Sequence, residues 1–99
     1  IRCSNGLIVL GGCAHSGIIN MVNHGLKVTG SIKVHGLLGG THLGPTLEPQ
    51  QNATMAALEW FNPDFIASNH CTGVAVMSRL AQVFGKKFIP AFCGTQIEC

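Results

Sequence analysis

Charge is scarce in this sequence: six Lys and Arg and four Asp and Glu among 99 residues make it 10% charged, against roughly 25% for an ordinary globular domain. So few polar side chains cannot cover a free-standing domain, and part of the surface is expected to lie under another piece of protein. The basic residues Arg2, Lys27, Lys33, Arg79, Lys86 and Lys87 are scattered; with no basic stripe to neutralise phosphates, nucleic acid is not an expected partner. No apolar run approaches the roughly 18 residues of a membrane span, and no charged-then-apolar leader is seen, so no membrane contact is expected. The five cysteines, at 3, 13, 71, 93 and 99, contain no Cys-x-x-Cys pair. An odd count without paired spacing argues against a disulfide framework or a zinc finger and suits a reducing, cytoplasmic setting. Nucleotide loops are missing too. Gly12 to Gly17 has the spacing of a phosphate loop, but Ile18 and Ile19 stand where lysine and a hydroxyl residue are needed, and no Gly-x-Gly-x-x-Gly occurs. Repeats, linkers and low-complexity segments are absent, and the length fits one small domain.

What is present is an alternation of short apolar runs with helical patterns. Leu7–Leu10 is continuously apolar and reads as a central strand covered on both faces. Lys33–Leu38, Phe65–Ala67 and Lys87–Phe92 read as its companions, with Gln96–Cys99 a further short candidate. Apolar residues at three- and four-residue steps predict helices over Gly17–Leu26, Gln50–Phe61 and Gly73–Phe84. Ser16 and Thr72 are the expected N-caps, His24-Gly25 a stop for the first helix, and Asn62-Pro63 the stop for the second. The order β-α-β-α-β-α-β predicts an α/β chain with a mainly parallel sheet and helices largely on one face. A turn-rich loop holding Pro45 and Pro49 is a candidate wall for a substrate pocket.

Three strand-to-helix junctions each deliver a histidine: Gly11-Gly12-Cys13-Ala14-His15-Ser16-Gly17, Gly39-Gly40-Thr41-His42-Leu43 and Asn69-His70-Cys71-Thr72-Gly73. Ligands of open α/β sheets bind at the carboxyl ends of the strands, and residues at such ends converge in a parallel sheet. A single histidine there is ordinarily a hydrogen-bonded structural residue. Three at equivalent ends point to metal, because neutral imidazole is the commonest zinc ligand and suits iron as well. His15, His42 and His70 are therefore the candidate ligands. His24, near a helix end, and His35, inside a strand, are left outside the site. Cys13 shares a face with His15 if the strand extends that far and is a further candidate. Cys71, close to a helix N-terminus, raises the alternative of a thiol-dependent hydrolase, against the plainer role of each cysteine as a small buried hydrophobe.

In this order the three motifs resemble the carboxyl-terminal half of metal-dependent hydrolases of the metallo-β-lactamase superfamily, and in particular the branch containing the archaeal dihydropterin ribofuranosylaminobenzene phosphate synthases. The resemblance implies half of an αββα sandwich over residues 1–99. It further implies that His15 completes a first metal site and His70 a second, and that His42 stands where most of the superfamily places a bridging aspartate. A divalent metal is implied, zinc foremost with iron or manganese as alternatives, activating water against an ester, lactone or phosphoester of a small-molecule substrate. The superfamily's amino-terminal signature His-x-His-x-Asp-His is absent. The expectations are accordingly that the amino-terminal half of the same domain, or another chain, completes the site, and that the half-domain alone is inactive and binds metal weakly or not at all. A non-catalytic remnant or partner-binding module is the competing class.

Overall fold

The computed structural model describes residues 1–98. Ten short elements follow one another: β1 (Arg2–Cys3), β2 (Gly6–Gly11), α1 (Ile18–Thr29), β3 (Val34–Gly39), α2 (Glu48–Phe61), β4 (Phe65–Ser68), a 3-10 turn (His70–Thr72), α3 (Val74–Phe84), a second 3-10 turn (Gly85–Lys87) and β5 (Phe88–Pro90). The strands form one sheet in chain order, with β1 antiparallel to β2 and the other pairs parallel. This is the expected α/β alternation with one addition. Two-residue β1 turns back onto β2 with Cys3 opposite Gly6, a hairpin whose only sequence signal is the turn-forming Asn5-Gly6.

The helices pack on one face of the sheet. Ile18 and Val22 of α1, Met55 and Leu58 of α2, and Val76 and Leu80 of α3 join Leu7, Val9, Val34, Leu37 and Ile66 in a single apolar cluster. Leu58, Ile66 and Leu80 are essentially inaccessible, and each such side chain contributes about 1.5–3 kcal/mol by leaving water. The helices depend on this packing, since none of the three carries a side-chain N-cap bond. Gly17 and Gly73, not Ser16 and Thr72, occupy the N-cap positions of α1 and α3. The first helix also runs past His24-Gly25 to Thr29, ending at a left-handed Gly30. Gly25 lies inside the helix, where a Cβ would come within 2.9 Å of the Leu7 side chain; the missing side chain lets α1 close on the sheet. In α3 the buried stripe is Val76 and Leu80, with Met77 only partly covered and Ala81 exposed.

The opposite face is thinly covered. Ile8, Phe65 and Ala67 are buried there under Cys3, Leu38, Ile89, Ala91 and Ile97, with no helix among them. Leu10, which alternation places on the same side as Ile8, is 59% exposed, so the expectation of a strand covered on both faces holds for Leu7–Val9 and fails at Leu10. The last strand is shorter than Lys87–Phe92, because Lys87 lies in a 3-10 turn and Pro90 has no N–H to continue the ladder. Of the expected strand Gln96–Cys99, residues 96–98 are irregular and Cys99 lies outside the described residues. Among the described residues no helix is long and apolar enough to cross a membrane.

At the amino-terminal edge of the sheet a register shift leaves His35 opposite no single β2 residue. Its ring stands edge-on to Phe65 at 5.4 Å, and its Nδ1 lies 2.6 Å from Asp64, which also accepts from Lys33 Nζ at 2.7 Å. Lys33 first, then His35, hold the Asp64 carboxyl below the usual carboxylate range. A carboxyl lowered by folding stabilises the native state above its unfolded value, and this contribution is lost as pH falls through the lowered value. Asp64→Asn should therefore reduce stability at pH 7 by about 0.5–1 kcal/mol, the size expected for a solvent-screened pair. In urea denaturation the gap from the parent should close as pH is taken below about 4; an equal gap at both pH values would contradict this account.

Candidate metal centre

Strand register sets the site. Gly11 pairs with Gly39 and Gly39 with Ser68, so the carboxyl ends of β2, β3 and β4 form one row. His15, His42 and His70 follow that row by four, three and two residues. The junctions press closely together. Gly40 N–H donates to the Gly12 carbonyl at 2.8 Å and Gly44 N–H to the Cys71 carbonyl at 3.2 Å. Gly39 has φ 116°, and a Cβ on it would overlap the Gly11 carbonyl; one on Gly40 would stand 2.6 Å from the Gly12 oxygen and 2.8 Å from Cys71 Sγ. Each junction also holds one non-glycine residue in the left-handed region, Ala14 (φ 57°), His42 (φ 52°) and His70 (φ 58°). Such conformations cost roughly 1–2 kcal/mol each and persist only where the surroundings over-determine them.

The over-determining element is a buried trio of hydroxyls. Thr72 Oγ1 accepts from Thr41 N–H at 3.2 Å and lies 3.0 Å from Thr41 Oγ1 and 2.6 Å from Ser68 Oγ. All three residues are buried. This network fastens the end of β3 to that of β4, and it explains why Thr72 does not cap α3: its hydroxyl is committed elsewhere.

Above this base the donor atoms gather in two groups. The His15 and His42 rings lie 4.3 Å apart between centroids, tilted by 53°. His42 Nδ1 is buried and has no hydrogen-bond partner. In the second group His70 Nε2 lies 2.9 Å from Cys13 Sγ, and Cys71 Sγ accepts the His42 N–H and donates to the Cys13 carbonyl, both at 3.3 Å. Cys13 Sγ, Cys71 Sγ and His70 Nε2 all lie within 4.8 Å of one another. Burial, and then the neighbouring Cys71, push the Cys13 thiol above its ordinary value. The His42 N–H on Cys71 links the two groups. His24 stands exposed on α1 and His35 is engaged with Asp64 at the far edge of the sheet.

An orphaned buried imidazole nitrogen beside a second imidazole fits a metal, because a buried polar atom left unpaired costs about 1–3 kcal/mol unless something takes it. A cleft of about 270 Å³ opens over the pair, walled by His15, Asn20, Thr41, His42, Gln50 and Thr54, with the first turn of α1 along one side. The loop from Thr41 onward supplies the opposite side through Leu43 and Thr46, as its turn-rich composition suggests. Cys71 makes its hydrogen bonds to backbone, whereas the imidazole of His70 reaches Cys13. The histidine beside Cys71 in sequence thus serves the other thiol, a pairing 57 residues apart that spacing does not reveal.

No family model matches the chain. Its sequence is 34% identical, over 98 residues and 99% of the chain, to the 7,8-dihydropterin-6-methyl-4-(beta-D-ribofuranosyl)-aminobenzene-5'-phosphate synthase of Methanocaldococcus jannaschii. It is 37% identical over 78 residues, 77% of the chain, to an uncharacterised protein of the same organism. The crystal structure of Tm1679, a metal-dependent hydrolase of the beta-lactamase superfamily, matches all of the chain with a TM-score of 0.90 at 23% identity. The chain spans 33% and 28% of the lengths of the two curated relatives and 38% of the Tm1679 chain.

The hydroxyl trio yields a test. Thr72→Val keeps the shape but strands Thr41 N–H and two hydroxyls in the interior, and is expected to cost about 1–3 kcal/mol in urea unfolding. Thr72→Ser keeps the oxygen and should recover most of that loss. Little loss with Thr72→Val and a larger one with Thr72→Ser would show that the methyl group, not the hydroxyl, carries the effect.

Proposed function

This chain has the fold of the β-lactamase-superfamily metal-dependent hydrolases, and from that premise we propose that it provides the His15, His42 and His70 side of a hydrolytic metal centre. The observation that carries the reading is the pair of imidazoles that line the cleft, His15 and His42, their ring centroids 4.3 Å apart and His42 Nδ1 without a hydrogen-bond partner. His15 and His42 would serve a first ion and His70 a second. The metal is a divalent ion, zinc foremost, since imidazole and thiol are its usual donors. When bound, it supplies an acidified water and polarises the oxygen of the scissile bond. The chain's own residues do the rest. The first turn of α1, where N–H groups lack intrahelical partners, lines the cleft and favours a negatively charged substrate group. Asn20, Thr41, Gln50 and Thr54 offer hydrogen bonds that orient a small molecule there.

The substrate class is an ester, lactone or phosphoester, and the last is the first to assay because the relative's name carries a 5'-phosphate. The centre is completed by the amino-terminal half of the same domain or by another chain, packed on the sheet face that carries Ile8, Leu38, Phe65 and the exposed Leu10. By itself the chain is inactive. A reducing, cytoplasmic setting suits its thiols, for Cys3, Cys13, Cys71 and Cys93 are all free.

Zinc titration calorimetry on the chain tests the assignment. His42→Asn removes the imidazole while tolerating the left-handed backbone, and should remove the share of the binding heat that the imidazole pair supplies. His24→Ala should leave it unchanged. With zinc present the chain alone should not hydrolyse a p-nitrophenyl phosphodiester. Binding heat indifferent to His42 and His15 would remove the imidazole pair from the metal centre.

A further inference from the structure

We propose that Cys13 Sγ, Cys71 Sγ and His70 Nε2 form a thiolate-bearing site for a soft divalent ion such as Zn²⁺ or Cd²⁺. The site shares His70 with the centre proposed above and deepens that reading, by giving one of its metals sulfur donors that the imidazole pair His15 and His42 lacks.

Zinc bonds of about 2.3 Å to sulfur and 2.0–2.1 Å to nitrogen put neighbouring donors of a tetrahedral site roughly 3.5–3.8 Å apart. The three atoms already lie within 4.8 Å of one another. Cys13 Sγ and His70 Nε2, now 2.9 Å apart across a shared proton, need to separate by only about 0.7 Å to admit an ion in that proton's place. The donors come from junctions 57 and 58 residues apart, so local chain geometry does not account for their meeting. The backbone holds them together: a side chain on Gly40 would stand 2.8 Å from Cys71 Sγ and 3.2 Å from the His70 ring, and His70 itself is held in the left-handed region at φ 58°.

The chemistry of the sulfurs agrees. Cys71 Sγ already accepts the His42 N–H, a bond that becomes charge-assisted and stronger once the sulfur is a thiolate. Two adjacent thiols cannot both ionise cheaply without a cation between them, and a divalent ion supplies that charge. In balance, two cysteine thiols and one M²⁺ give a neutral dithiolate complex and two protons to solvent, with no redox change. His70 is exposed and Cys13 and Cys71 are partly so, which leaves a path for the ion and an open fourth position of the kind catalytic zinc keeps for water or substrate.

The experiment is a Cd²⁺ titration of the chain reduced with a phosphine, followed together by calorimetry and by the ultraviolet thiolate-to-cadmium charge-transfer band. One equivalent should saturate the band, with two protons released per ion at a pH where the thiols are protonated. Cys13→Ser and Cys71→Ser should each remove about half of the intensity, since each deletes one of two sulfur donors. As a check that needs no variant, bound Cd²⁺ should protect Cys13 and Cys71 from alkylation, read by peptide mass spectrometry, while Cys3 and Cys93 stay reactive. Binding heat with neither band nor protection would assign the ion to imidazoles alone; it would overturn the thiolate site and leave the hydrolytic reading intact. No heat and no band would overturn both.

Discussion

The site rests on one small contact, the Thr72 hydroxyl held between Thr41 and Ser68. Three parallel strands can end in a common row and still let their connections splay apart. Here they cannot, because an interior oxygen that loses these partners has no water to replace them. With the ends of β3 and β4 fastened, Gly39 and Gly40 allow β2's junction to close on the same point. The left-handed Ala14, His42 and His70 are the strain that results, and hydrogen bonding below and around them offsets it. The candidate donor side chains are thus poised by backbone and hydroxyl contacts outside the donor set.

The sheet's two faces carry different duties. One is sealed by three helices through Val22, Leu58, Val76 and Leu80. The other is roofed only by short pieces such as Ala91 and Ile97, and Leu10 stands mostly in solvent. The low charge content of the sequence and this bare face are two aspects of one fact, a surface with more apolar area than its polar residues can offset. A second layer of protein on that face accords with the proposed function.

Much of this was legible in the sequence because periodicity and strand-end placement are local signals. The runs at Leu7, Val34, Phe65 and Phe88 and the three helical stretches fall where the pattern puts them, and the motif resemblance is matched by a structural neighbour over the whole chain. What escaped depends on distant partners. Ser16 and Thr72 satisfy the local preference for caps, yet glycine takes both positions, and Thr72 is drawn to Thr41, 31 residues away. Adjacency in sequence does not say which thiol His70 meets, and folding gives it Cys13, 57 residues away. Leu10 reads as buried because its run is apolar, and only the arrangement of layers exposes it. Arg2–Cys3 is too short to show any alternation.

The row of Gly11, Gly39 and Ser68 has a bearing on how this chain can change. Each histidine hangs from that row by its own count of residues, four, three and two, and the left-handed residues fix where each short connection turns. Spacing therefore carries as much information here as residue identity. Exchanging side chains along a junction alters the chemistry of one corner, while inserting or deleting a single residue between row and histidine moves the imidazole to another direction altogether. Variation by substitution and variation by length are thus separated in this fold. The junctions form a ruler that tolerates relabelling and does not tolerate stretching, and divergent chains of this architecture should be aligned on the row before their donors are compared.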